Sequence, residues 1–316
     1  MAEPAAIRAE GLVKRYGATE AIRGIDFSVA THETVGLLGP NGAGKTTTIR
    51  MLAGFLAPTA GRIEVAGETV GDAGPRAREA RRRIGYLPEG TPLRRDMTVH
   101  EYLLARARLY GLPRNRRREM TENAMRRCGI ADRADSLIGK LSKGLKQRAG
   151  LAQAILHEPE ILILDEPSSG IDPVQVVELR DLIRELGSAH TIIFSSHVLP
   201  EAEQICDRVL VIGRGRILGE RRRSDAASRG VVVEADADAA RLTALLQPLA
   251  AGGVRTDAVG QGTRCRFNLG PEADTALVAE TIVGAGLALR RLATERDDLE
   301  SVFLRLLGDD EQATGA

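Results

Sequence analysis

Cysteine is scarce. The three in 316 residues, Cys128, Cys206 and Cys265, stand far apart and form no CxxC pair. That spacing builds neither a disulfide framework nor a thiolate zinc site, and it fits a reducing cytosol. Long apolar runs are missing as well. None approaches the ~18 residues that a transmembrane helix needs, and the opening MAEPAAIRAEG carries no apolar signal core. A soluble chain is expected, with any membrane role requiring a partner. Excess charge of one sign is also absent: 44 Lys and Arg meet 43 Asp and Glu, for a net charge of +1. That balance argues against bulk nucleic-acid binding, and no nucleic-acid partner is expected. Repeats and low-complexity tracts are absent.

The charges that are present are unevenly spread. From Gly71 to Arg127 there are 15 Arg against 7 acids, and from Gly230 to Ala316 there are 8 Arg against 14 acids. Most such charges solvate helix exteriors, but a basic middle and an acidic end also suit different partners or faces. A chain of this length buries a real core and has room for two domains.

Three short apolar runs, TVGLLG (34–39), ILILD (161–165) and TIIFSS (191–196), are continuous rather than alternating. Strands of that kind are buried on both faces of a parallel sheet. Helical patterns lie between them at Thr46–Leu52, Gly144–Leu156 and Val174–Leu186, so the order is α/β, and ligands of such sheets sit beyond the carboxyl ends of the strands. The first 35 residues and GRIEVAGETV (61–70) read as short antiparallel strands. Residues 96–138 read as helices broken at Gly111–Pro113. After a linker at 223–229 the pattern restarts as strand, helix (Ala239–Leu249), strand near Val254–Val259, strand, helix (Ala273–Ala285), strand, which is the βαββαβ ferredoxin-like order. A last helix is expected at Asp297–Leu307.

GPNGAGKT, from Gly39 to Thr46, fits G-x-x-x-x-G-K-[ST] and lies between a strand and a helix. Its glycines let the backbone curl so that successive N–H groups point at phosphate oxygens, and the helix adds its positive end. Lys45 can reach the β- and γ-phosphates, and the Thr46 hydroxyl can hold Mg²⁺. Asp165 ends the second apolar run, where a carboxylate reaches that metal. Glu166 can orient or deprotonate the attacking water. His197 closes the third run at the same end of the sheet, placed for γ-phosphate contact. One further stretch raises a question. LSKGLKQR opens a helix at Ser142, a capping residue, with three cations and no acid in its first turn. Such a start suits a docking anion.

With these pieces assembled, residues 5–220 resemble the nucleotide-binding subunit of an ABC transporter. The resemblance gives Tyr16 as the aromatic that stacks on adenine. Gly39, Pro40, Asn41, Gly42, Ala43, Gly44, Lys45, Thr46 and Thr47 form the phosphate loop. Glu89 in IGYLPE stands where the family has Gln, LSKGLKQR resembles the signature LSGGQ, SSGID with Asp172 follows the Asp165–Glu166 motif, and His197 is the switch histidine. Two such subunits pack head to tail, so Ser142 and the N–H of Gly144 are expected on the ATP of a second copy, or of a related subunit. Lys143 and Leu145 replace the signature's second Gly and its Gln. Glu89 is expected as a metal ligand through water, the alternative being that it faces solvent or an Arg of the permease. The LSKG and YLPE variants resemble a subgroup serving two-component exporters, including drug-resistance and gliding-motility systems.

The resemblance implies a P-loop ATPase core with an antiparallel β subdomain and a helical insertion (about 96–140) within an ATP-binding domain at 1–222, then a ferredoxin-like accessory domain at 230–308 and a tail at 309–316. It implies an ATPase that uses ATP and Mg²⁺ to drive a separate membrane permease, an exporter, from the cytoplasmic face of the cell membrane. Two alternatives remain at this level. A soluble ABC ATPase on ribosomes or DNA would carry two cassettes or a long coiled-coil insertion, and neither is seen. A non-hydrolysing regulatory module would have no need of Ser142, Asp165 and Glu166 together.

Overall fold

A computed structural model describes residues 5–70, 74–222, 230–259 and 262–295. The chain divides into two compact units, with the break between Arg221 and Arg222.

The first unit is built on two sheets. In the larger, β3 (Thr34–Leu38), β6 (Ile84–Leu87), β7 (Ile161–Asp165), β8 (Thr191–Ser196), β9 (Arg208–Gly213) and β10 (Arg216–Arg222) run in the order β10-β9-β3-β8-β7-β6. The pairings β9–β3, β3–β8, β8–β7 and β7–β6 are parallel. Every residue of β3, β7, β8 and β9 is buried, which is why the first three read as unbroken apolar runs. Parallel alignment brings their carboxyl ends level: Leu38 pairs with Ser196, and Asp165 with Ser195.

The second sheet, β2-β1-β4-β5, is antiparallel: β1 (Ala5–Tyr16), β2 (Thr19–Ala30), β4 (Ala60–Val65) and β5 (Glu68–Val70). Its first two strands have 12 residues each, longer than the short strands expected. Register shifts beside Gly11, whose φ is +54°, interrupt the alternation and hide their length in the sequence. Ile7, Ile25 and Ile63 from this sheet share one core with Val35, Ile49 and Ile163.

Helices α1 (Lys45–Leu52), α2 (Pro75–Arg82), α5 (Lys143–Ile155), α6 (Pro173–Gly187) and α7 (Leu199–Ile205) connect or flank the strands. The insertion holds α3 (Val99–Leu109) and α4 (Arg117–Arg127), with the expected break at 111–113. A capping box fixes the start of α3, where the Thr98 side chain accepts from the Glu101 N–H and Glu101 accepts from the Thr98 N–H.

The second unit runs β11 (Gly230–Ala235), α8 (Ala239–Leu246), β12 (Arg255–Val259), β13 (Gly262–Asn268), α9 (Thr275–Gly284) and β14 (Leu289–Glu295). Its sheet order is β12-β13-β11-β14, antiparallel throughout, which is the ferredoxin-like arrangement. Val231, Val233 and Cys265 on one face pack against Leu242, Leu246, Val278 and Ile282 of the two helices. The helix expected over 239–249 tightens into a 3₁₀ turn at Gln247–Leu249, where Pro248 supplies no N–H donor. The expected linker at 223–229, the helix Asp297–Leu307 and the tail at 309–316 lie outside the described residues.

Candidate active site

The loop from Gly39 to Gly44 joins β3 to α1, and close packing dictates its glycines. A Cβ on Gly39 would lie 2.2 Å from the Ile212 carbonyl oxygen. Gly44 has φ +109°, and its Cβ would meet Ile22 at 2.6 Å. Gly42 also takes a positive φ, +81°. The loop closes on itself through the Ala43 N–H, which donates to the Pro40 carbonyl at 3.2 Å, and Gly215 N–H donates to Ala43 O at 2.9 Å. Gly44 caps α1 without a side chain, and no acid occupies the first turn, so the helix presents uncompensated N–H groups.

Lys45 is buried, 5 % exposed. Its ammonium donates to the carbonyls of Gly39 (2.7 Å) and Pro40 (3.1 Å) and pairs with Glu166 Oε1 at 3.3 Å. Glu166 Oε2 meets His197 Nδ1 at 2.7 Å. Glu166 itself takes a left-handed backbone, φ +47°, and its N–H donates to Ser195 Oγ at 3.0 Å.

Asp165 lies at the centre and is fully buried. Its Oδ1 accepts from Ser195 Oγ (2.8 Å) and Thr46 Oγ1 (3.3 Å). Its Oδ2 is buried without a hydrogen-bond partner among the described residues. Burial pushes the Asp165 carboxyl up, the two hydroxyls pull it back, and the nearby Glu89 charge raises it again. A buried carboxylate oxygen left over beside a hydroxyl suits a hard divalent cation, and Mg²⁺ takes few protein ligands when phosphates complete its shell. The described residues contain no cluster of three His, Cys, Asp or Glu that would form an all-protein cage.

Lys45, Thr46, Asp165, Glu166 and His197 therefore form one hydrogen-bonded cluster at the strand ends. Other expected site residues lie outside it. Ser142 is exposed and accepts from Leu145 N–H at 3.3 Å, capping its own helix. Gly144 is buried beneath α6, where a Cβ would fall 1.7 Å from Gln175 Oε1. Asp172 caps α6, accepting from Gln175 N–H at 3.1 Å. Tyr16 ends β1, half exposed, with Lys14 Nζ 5.5 Å from its ring centroid. The strand that follows it carries Ala21 and Ile22 against Gly44. Glu89 is exposed, in a cavity that Glu166 also lines. Asn41 is exposed, and Thr47 is half-buried in the first turn of α1. Sequence reasoning missed Ser195, which binds Asp165 and Glu166 at once. Its one signal is a hydroxyl in an otherwise apolar buried run.

Residues 22–169, which contain the phosphate loop, Asp165 and Glu166, match the family described as ABC transporter. The Nod factor export ATP-binding protein I of Burkholderia orbicola is 36% identical over 305 residues, which span 95% of this chain and 96% of that protein. The chain belongs to the ABC transporter ATP-binding family. The bacitracin transport ATP-binding protein BcrA of Bacillus licheniformis is 40% identical over 216 residues, 68% of this chain and 70% of that one. Among solved structures, cbiO1 of Clostridium perfringens, part of the ABC transporter complex cbiONQ, superposes with a TM-score of 0.65 at 30% identity, covering 71% of this chain and 90% of that one. The ABC chain binds and hydrolyses ATP as the ATP-binding subunit of a transporter. Subunits of this family work as dimers with a membrane permease. No helix among the described residues is long and apolar enough to cross a membrane.

Proposed function

We propose that this ABC subunit hydrolyses ATP at the Lys45–Glu166–His197 cluster, with the site completed by a second copy, and that it energises an exporting permease at the cytoplasmic face of the membrane. The loop N–H groups and Lys45 hold the β- and γ-phosphates, and Tyr16 stacks on the adenine. Thr46 and Asp165 would hold Mg²⁺, with Glu89 as a further candidate for holding it, and the bound metal would offset phosphate charge. To reach the phosphates, Lys45 gives up Glu166, and Glu166 then takes the proton of the attacking water. A P–O bond forms as the bond from the γ-phosphorus to the ADP oxygen breaks. His197 holds Glu166 in line and contacts the γ-phosphate. The signature residues Ser142 and Gly144 serve the other subunit's ATP, and Asp172, in the loop after the Asp165–Glu166 motif, is a further nucleotide-site residue. The second unit, within 230–308, takes no part in nucleotide binding.

The observation that supports this reading most is the juxtaposition of a paired Lys45–Glu166–His197 row with the unpartnered Asp165 Oδ2. The test is Glu166→Gln. General-base loss costs about 10²–10⁴ in rate, so hydrolysis should nearly vanish while ATP binding persists. A dimer should then accumulate with ATP and Mg²⁺ on size-exclusion chromatography. Turnover at the wild-type rate in the variant would refute the role.

A further inference from the structure

The cluster above uses Lys45 but leaves the cations at the start of α5 without a task inside their own chain. α5 has no acid in its first turn, and a helix start is already positive, so Lys143 and Lys146 there are unfavourable unless an anion is present. A second observation shows where an anion fits. A cavity of about 320 Å³ lies between the segment after β6 and the start of α5, and Arg95, Lys143, Lys146, Gln147, Glu89 and Glu166 are on its wall. Lys143 turns toward its own chain: a Cβ on Gly170 would lie 2.1 Å from its Nζ. Lys146 Nζ donates to the Gly139 carbonyl at 3.3 Å. Among the described residues, none of Arg95, Lys143 and Lys146 is paired with a carboxylate. Glu166 is shared, touching Lys45 in the nucleotide cluster and also lining the cavity.

We infer that this cavity receives the inorganic phosphate cut from ATP, before it leaves the protein. The inference rests on hydrolysis beside Glu166. Glu166 stands both in the nucleotide cluster and on the cavity wall, which puts three cations that have no carboxylate of their own next to the place where the phosphate is cut. Gln147 adds neutral hydrogen-bonding capacity, and Glu89 opposes tight capture, which suits a transit site rather than a store.

The test is a titration of the nucleotide-free full-length chain with inorganic phosphate, followed by ³¹P NMR, with four proteins compared. Wild type should show two classes of site. Lys45→Ala should remove only the one at the phosphate loop. Lys143→Gln/Lys146→Gln should weaken only the other, by about tenfold, equivalent to about 1.4 kcal/mol. Lys143→Arg/Lys146→Arg, which keeps the charge, should restore it. A wild-type isotherm in the Gln pair, or loss of all phosphate binding in Lys45→Ala alone, would overturn the inference. ATP titration of the same Lys45→Ala protein reads the phosphate loop separately: unchanged ATP affinity there would break the site assignment without touching the cavity result.

Discussion

Two helices of the ATPase unit begin alike and end up in opposite situations. Both α1 and α5 open with lysine and have no acid in the first turn. At α1 the chain has wrapped the positive end. Ala21 and Ile22 press on Gly44, the 213–216 turn bonds Ala43, and Lys45 is buried against Glu166. At α5 the end is open. Ser142 and Lys143 are exposed, and the cap is the helix's own hydroxyl. The same electrostatic device is thus finished in one place and unfinished in the other. On the proposed reading the finished start holds nucleotide phosphate within a single chain, whereas the Ser142 cap of the unfinished one meets nucleotide only when a second copy brings it.

The strongest way to break the comparison is at the finished end. Lys45→Ala removes a charge-assisted contact, and ATP affinity of the isolated chain should fall about 100-fold, equivalent to about 2.7 kcal/mol, by fluorescence titration. Ser142→Arg, at the open end, should leave that affinity unchanged and abolish turnover. Mixing the two variants sharpens the contrast. In a head-to-tail pair one site carries both defects and the other neither, so a 1:1 mixture should recover about a quarter of wild-type activity if the sites are independent. A mixture as dead as its parents would count against the trans arrangement.

Smaller effects follow from packing. Gly144→Ala puts a methyl against the movable end of Gln175 and 3.0 Å from Ile171 Cγ2, and should cost no more than about 1 kcal/mol, the low end for overpacking, read by urea denaturation. Gln175→Ala in the same chain should return part of that loss. The smallest effect is electrostatic. The Asp165 carboxyl is raised by burial, so its proton stabilises the fold below the ordinary carboxylate range, and that contribution is lost as pH rises through the folded value. Asp165→Asn should therefore flatten the pH dependence of melting above the ordinary carboxylate range while abolishing metal-dependent stabilisation. An identical pH profile in both proteins would contradict the stated burial effect.

Continuous apolar runs made β3, β7 and β8 legible in sequence, and GPNGAGKT with Asp165 and Glu166 pointed to the side-chain cluster that the fold assembles at the strand ends. β6 has only four residues, with Gly85 among them, and α2 has eight residues whose face is marked by alanine alone, so neither carries a run of large apolar side chains. β9 opens with Arg208, which reads as a surface residue. In the fold it is buried and pairs with Glu33 at 2.8 Å and Glu220 at 2.8 Å, partners 175 and 12 residues away. Ser195 was hidden for the same reason, since its partners Asp165 and Glu166 are 30 and 29 residues distant. Periodicity and motif spacing are local, whereas these bonds exist only after the strands are laid side by side.

The left-handed backbone of Glu166 bears on how such chains diverge. A non-glycine residue at φ +47° carries about 1–2 kcal/mol of steric cost. Glycine there would relax the turn, and asparagine, which tolerates the region better, would relax part of it. Either would also remove the carboxylate. With Glu166 in the role proposed for it, random drift at this position runs downhill in folding energy toward silent copies that still grip nucleotide. A duplicated gene would slide toward a paired assembly with one working site and one degenerate site, and only selection for turnover keeps the acid in its strained seat.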